Sequence, residues 1–467
     1  MKTSSQLTRL PPGAPGTPLA KNPAPPSEGR DNAPHCPSDS PSLLRETSSV
    51  LPAPTARALQ LHSLFWLVAA NLVGLLLAAE LLYPDLGDAL APLTYGRWMP
   101  LHLDWQLYGW CSLPLIGALT AWLTPSDHSQ LSTINLQLPQ RAVQGALWLW
   151  SLALALGGAS WLSGETSGKL FLDWHGWARP LLPLAMTALW TVLAARLWWF
   201  RQNFSRPGLL ARAAFLLILL AVPSALYWSA GDDVYPSVNP HSGGATGASL
   251  LGSTLGIVAI FGLLPAFLGI RPTDTRSGPH RAFWAFFAFS CAAFATLDHG
   301  HASHHAAGQI IGLSLLLGWL PIAWLYFRRF AWTPASRPWL AAAFVWWSLL
   351  VVTGLLTFLP GLSERLKFTH GLVAHAHLAM AGLVTSVHVV ILNELRATRP
   401  LRTGFVLWQS ACALYVTTMM ILGWQENTHA SELFRSETWT QFLLAARLLA
   451  GLAMTTVSLR WLLTASR

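Results

Sequence analysis

The sequence predicts an all-α polytopic membrane protein with twelve transmembrane helices. Three observations carry this. Of its 467 residues 53% are hydrophobic and only 10% charged, and the mean hydropathy is +0.42, a profile of lipid-embedded chains. Apolar runs of about 20 residues, the length that crosses a bilayer as a helix, recur from residue 61 to the end. The connections between them are short, and none is long enough to fold as a separate domain.

Residues 1–60 are rich in Pro, Ser, Ala and Gly and poor in aromatic residues, which predicts a disordered cytoplasmic tail. The first apolar run begins too late for a signal peptide. Residues 61–467 then form the membrane domain. Its predicted spans are 61–83, 100–123, 141–163, 177–200, 208–230, 244–269, 280–298, 305–327, 338–360, 370–393, 403–423 and 440–464.

Basic residues orient the bundle. Arg196, Arg201, Arg206 and Arg212 flank the connection between the fourth and fifth spans, and Arg271, Arg276 and Arg281 the one between the sixth and seventh. Arg328, Arg329 and Arg337 follow the eighth span, and Arg396, Arg399 and Arg402 the tenth. The opposite loops carry fewer cations, with Asp232, Asp233 and Asp298 among them. The positive-inside rule therefore places both termini in the cytoplasm. The net charge of +9 belongs to these loops, and without a basic patch it does not point to nucleic acid.

The four cysteines (Cys36, Cys111, Cys291 and Cys412) are scattered and form no Cys-x-x-Cys pair. That excludes a zinc knuckle, a four-cysteine iron–sulfur site and a covalently attached c-type heme in this chain. With sixteen histidines against four cysteines, imidazole is the metal ligand to look for.

The histidine pattern centres on Thr369–Gly382, which opens the tenth span. His375 and His377 are two residues apart, so on a helix they point about 200° away from each other. One metal is not easily gripped by both, but two centres fit, one on each side of the helix. Histidine within an apolar span is costly enough to imply function. His102 opens the second span, His241 precedes the sixth, and His299, His301, His304 and His305 lie between the seventh and eighth. The predicted orientation brings all of them near the outer face, the arrangement of a metal-bearing layer. His388 lies eleven residues beyond His377, about 16 Å deeper, and suits an internal hydrogen bond. Asp104 is either a partner for His102 or a helix-start charge.

These residues resemble a family. Twelve helices, a histidine opening the second, a histidine cluster after the seventh and His-x-His opening the tenth resemble the catalytic subunit I of the heme–copper oxidases, which include the nitric oxide reductases. Gly96-Arg97-Trp98-Met99-Pro100-Leu101-His102 is similar to the start of the second helix in cbb-type oxidases. Thr369-His370-Gly371, followed by Ala374-His375-Ala376-His377-Leu378-Ala379, is similar to the nitric oxide reductase motif, with a shorter spacer.

The resemblance implies that His102 and His377 ligate a low-spin heme b and that His375 is the axial ligand of a high-spin heme. It implies a third metal, copper or non-heme iron, expected on His299, His301 and His241. Arg97, Arg365 and Lys367 lie at the level where heme propionates need cations, and also where ordinary interfacial anchors sit. The chain departs from the pattern in three ways. Asp298-His299 stands where the family has a histidine pair, the sixth span has no histidine or glutamate, and neither the sixth nor the seventh has the tyrosine that the oxidases use.

The expected function is thus a respiratory terminal reductase in a bacterial-type inner membrane, taking electrons from a separate c-type cytochrome and reducing O2. Alternatives are a nitric oxide reductase-like enzyme and a non-catalytic di-heme electron-transfer or gas-sensing protein. A proton-relaying transporter ranks last, because no inverted repeat is visible.

Overall fold

The computed structural model describes residues 51–125, 133–273, 277–395, 404–426 and 437–467. All of them belong to the unit Ser49–Arg467. Residues 1–50 of the tail expected at 1–60 and the loop residues Arg276, Arg396, Arg399 and Arg402 lie outside the described residues, whereas 53–60 of that tail is helix. Among the described residues there is no strand, only the isolated bridges Val238–Ala245 and Pro272–Phe330.

The helices follow the predicted runs. In order they are α1 (Ala53–Leu82), α2 (Tyr95–Asp104, continuing through Trp105–Cys111 to Leu113–Trp122), α3 (Thr133–Ser163), α4 (Leu181–Trp199), α5 (Arg206–Leu219 and Ala221–Ser229) and α6 (Gly247–Phe267). Then come α7 (Gly278–Ala295), α8 (Ala307–Phe327), α9 (Arg337–Leu356), α10 (His370–His377, continuing through Leu378–Val384 to Thr385–Glu394), α11 (Phe405–Gln425) and α12 (Thr438–Ser466). Ten of these are long and apolar enough to cross a membrane. The other two are α2, interrupted by a π-helical stretch, and α7, whose first turn carries His280 and Arg281.

The first helix begins at Ala53, earlier than the expected residue 61. Pro54 fits its first turn, where a missing N–H costs nothing, and Thr55, Ala56, Leu59 and Gln60 are already buried. Among the described residues side-chain caps start three helices. Ser205 accepts from the Gly208 N–H, Thr246 from the Ser249 N–H and Thr369 from the Gly371 N–H.

α10 is the most enclosed of the ten spans and α5 the least. Every residue of Thr385–Glu394 is buried. α10 packs against α9 on one side and α11 on another, while α1 packs against α2 and α12. Helix α10 therefore runs through the interior, where its histidines meet side chains from several neighbours.

Both α2 and α10 contain a π-helical stretch, at Trp105–Cys111 and Leu378–Val384. Each follows closely on its helix's histidine, His102 or His377. π turns are rare and collect at functional sites.

Candidate cofactor site

The structure splits His375 from His377 as the 200° argument requires. His377 faces α2 and α11. Its ring lies 6.3 Å from that of His102, centre to centre, with the planes 20° apart, and it stacks on Tyr415 at 4.2 Å. His375 faces α9, where its Nδ1 lies 3.1 Å from Thr353 Oγ1.

The tautomers follow from the partners. His102 Nδ1 lies 2.8 Å from Ala70 O, and His377 Nδ1 lies 2.8 Å from Val373 O. A carbonyl only accepts, so each Nδ1 must carry the proton and each Nε2 a lone pair. Outer carbonyls fix metal-bound histidines in the same way. His102 is oriented by Ala70 rather than by Asp104. Thr353 Oγ1 donates to Leu349 O at 2.7 Å, so it accepts from His375 Nδ1–H, and His375 Nε2 also keeps its lone pair.

Both His102 and His377 line one cavity of about 330 Å³, together with Asn71, Gln106, Tyr95, Trp408, Tyr415 and Arg447. Imidazoles on opposite sides of one metal, with bonds of about 2 Å, have ring centres about 6 Å apart. The observed 6.3 Å matches that spacing. Gly74 on α1 makes room for it, since a Cβ there would lie 2.7 Å from His102 Cε1. Gly354 does the same on α9, where a Cβ would come within 3.2 Å of His375 Cε1.

Arg447 was not among the residues singled out from the sequence. It is buried, it lies against the Tyr415 ring at 5.4 Å, and its Nε and Nη1 have no hydrogen-bond partner. A buried cation short of acceptors suits a ligand with carboxylate substituents, as a heme has. An arginine in the middle of the apolar run of α12, far from either end, was the signal that could have found it. Arg97 is used elsewhere: its Nη1 donates to Leu162 O at 2.7 Å. Lys367 donates to Ser242 Oγ at 2.6 Å.

The expected third-metal set is not brought together. His301 Nδ1 accepts from the Val238 N–H at 3.1 Å, which leaves its proton on Nε2. The His299 ring rests against the half-buried Phe294 at 4.6 Å, and His299 itself is exposed. A different group assembles: ligand atoms of His304, His305 and Glu364 lie within 4.8 Å of one another. His241 belongs beside them, its ring 4.9 Å from His305 and 6.0 Å from His304. α8 begins at Ala307, so His304 and His305 sit in the loop before it rather than on the helix. Glu364 arrives from the short helix Leu362–Leu366 after α9.

Asn239 Oδ1 accepts from the His241 N–H, so its Nδ2–H faces His304 Nδ1 at 2.5 Å and His304 Nε2–H donates to Glu364 Oε1; a metal here would have to displace that proton. Burial pushes the His304 imidazole below its ordinary value, against the pull of Glu364 at 2.9 Å. Hydrogen bonds from its own backbone N–H, from His304 and from the Gly361 N–H hold Glu364 below the usual carboxylate range. A neutral imidazole and an ionised carboxylate are the forms that ligate. His370, at the head of α10, is instead committed to Glu426, its Nδ1 2.6 Å from Oε1. No protein-family model matches this chain, and no curated protein matches it.

Proposed function

We propose that this chain is a membrane-bound respiratory heme protein of the heme–copper oxidase kind. In this reading it is a terminal reductase that moves electrons from a separate c-type cytochrome to O2. It spans a bacterial-type inner membrane twelve times, α2 and α7 included, with both termini in the cytoplasm. The observation that carries the reading is the His102–His377 pair, with its 6.3 Å spacing and each Nδ1 held by a carbonyl.

In this reading His102 and His377 would hold a low-spin heme b, and His375 would hold a high-spin heme on the other side of α10. Bound there, the hemes supply one-electron redox chemistry at a potential that the surrounding hydrogen bonds and burial set. The chain's own residues do the rest. Ala70 O and Val373 O hold the Nδ1 protons of two rings that line the cavity and so leave their Nε2 lone pairs free, Thr353 does the same for His375 on the other side of α10, and Arg447 offers N–H donors to a carboxylate. The second metal, copper or non-heme iron, belongs to His304, His305 and Glu364, with His241 beside them.

Glu364 favours a second reading of the acceptor. A carboxylate among imidazoles suits a harder ion, iron over copper. A glutamate near non-heme iron is also what the resemblance to nitric oxide reductases implies, so nitric oxide stands as the alternative substrate.

A reduced-minus-oxidised spectrum with carbon monoxide, combined with metal analysis of the purified protein, tests both readings. A bis-histidine low-spin signal, a CO-reactive high-spin heme and one further metal are expected. Two hemes without a further metal would replace the enzyme by an electron-transfer or gas-sensing protein. No heme absorption would end the proposal.

A further inference from the structure

The geometry points to a proton-binding site inside the membrane at His388, with hydrogens on both ring nitrogens. His388 is buried on the inner half of α10. Its Nδ1 lies 2.6 Å from Val384 O and its Nε2 lies 2.6 Å from Cys111 O.

A neutral imidazole has one N–H and one lone pair, whereas a carbonyl oxygen can only accept. With a single proton, one of these contacts would set a lone pair against a lone pair at 2.6 Å, closer than an ordinary N–H···O bond. Only a doubly protonated ring donates to both carbonyls. Turning the ring over would place carbons against both oxygens and leave two buried nitrogens without partners, which is worse.

The surroundings fit a cation. The Trp110 ring lies 5.7 Å from that of His388, within the roughly 6 Å over which an aromatic ring attracts a cation. Trp110 Nε1–H is already given to Thr385 Oγ1 at 2.9 Å, so it does not compete for the carbonyls.

Few other ionisable groups are brought to this level. Leu113–Trp122 and Leu378–Val384 contain none, and α9 has only Arg337 at its first residue. The π turn of α2 contributes Tyr108 and Cys111, and α11 contributes Cys412 and Tyr415. α10 itself adds Glu394, whose Oε1 accepts from the Thr333 N–H and Oγ1–H. None of these appears as a side-chain partner of His388. Main-chain carbonyls from two π turns, rather than a carboxylate, hold the proton.

The site does not depend on the heme reading, although a charge about 16 Å below His377 would favour an electron arriving there. The test is nitrogen NMR of the full-length protein in lipid nanodiscs, labelled at histidine with ¹⁵N, at pH 8.5. That pH lies about two units above the ordinary histidine value. One ring with both nitrogens protonated and slow to exchange in D2O is expected, and it should vanish in His388→Gln. Absence of such a ring from the wild type overturns the proposal, as does its persistence in the variant. If His388→Gln does not accumulate, the wild-type spectrum still decides the first point, and His388→Asn assigns the signal. Because no cofactor is needed, failure here is distinguishable from failure of the heme reading.

Discussion

Replacing Gly74 with alanine tests the His102–His377 pair without touching either ligand. A Cβ at position 74 would lie 2.7 Å from His102 Cε1 and 2.9 Å from Nδ1, where ordinary contact begins at 3.4 Å. The ring must therefore retreat by about 0.7 Å, well beyond the roughly 0.2 Å tolerance of a metal–ligand distance. The 2.8 Å bond from Nδ1 to Ala70 O stretches with it, at a cost of about 1 kcal/mol. The helix itself loses nothing, since alanine is the better helix former by up to about 1 kcal/mol. The expected outcome is a folded protein whose low-spin heme occupancy falls at least tenfold, the scale on which disturbed outer partners weaken metal sites. The assay is the reduced-minus-oxidised spectrum of G74A beside its melting temperature. Gly96→Ala on α2 is the control, because a Cβ there meets nothing within 4 Å. A full low-spin signal in G74A at unchanged melting temperature would refute the assignment of the cavity.

Other outcomes follow from the same geometry. Substituting His375 should abolish the CO shift and spare the low-spin signal, whereas substituting His102 should do the reverse; paired spectra decide it. His304→Ala or Glu364→Gln should each remove about one equivalent of non-heme metal, while His299→Ala should remove none, as read by elemental analysis. Asp173 predicts a pH effect. Burial raises its carboxyl to about 6, against the pull of the Gly168 N–H, so the folded chain holds the proton more tightly than the unfolded one. Its contribution is present below the unfolded value near 4 and is lost as the pH rises through about 6. Asp173→Asn should therefore stabilise the protein by on the order of 3 kcal/mol at pH 8 and very little at pH 4, measured by thermal unfolding at both.

What was legible in the sequence was whatever helical repetition dictates. Apolar length placed the runs, and the turn angle separated His375 from His377, because both are properties of one helix. His102 was legible for the same reason, sitting at the head of its own run. The His304, His305 and Glu364 cluster was not, because it is assembled by loops. His304 and His305 lie three and two residues before α8, and a small error in the helix start turns them from loop residues into helix residues. Glu364 comes from a connection 60 residues away from His304 in the chain, which no periodicity encodes. Arg97 failed for a different reason. Its level was right, but the nearby end of α3 presents Leu162 O and takes the guanidinium.

The twin π turns explain why the cavity lies where it does. At the level of His102 and His377, α2 and α10 stand apart, and the space between them is the cavity. One π turn further in, the same two helices are stitched together, Trp110 to Thr385 and His388 to Cys111. Thr385 both lines the cavity and accepts the Trp110 bond, so it marks the floor. A π turn inserts an extra residue into a helical turn, so it shifts the face that the next turn presents. Having one in each helix at this level lets both change together from facing a cavity to facing each other. The histidines that open the two helices and the hydrogen bonds that close the floor are thus parts of one device, and the separation of His102 from His377 is set as much from below as by either residue's own turn.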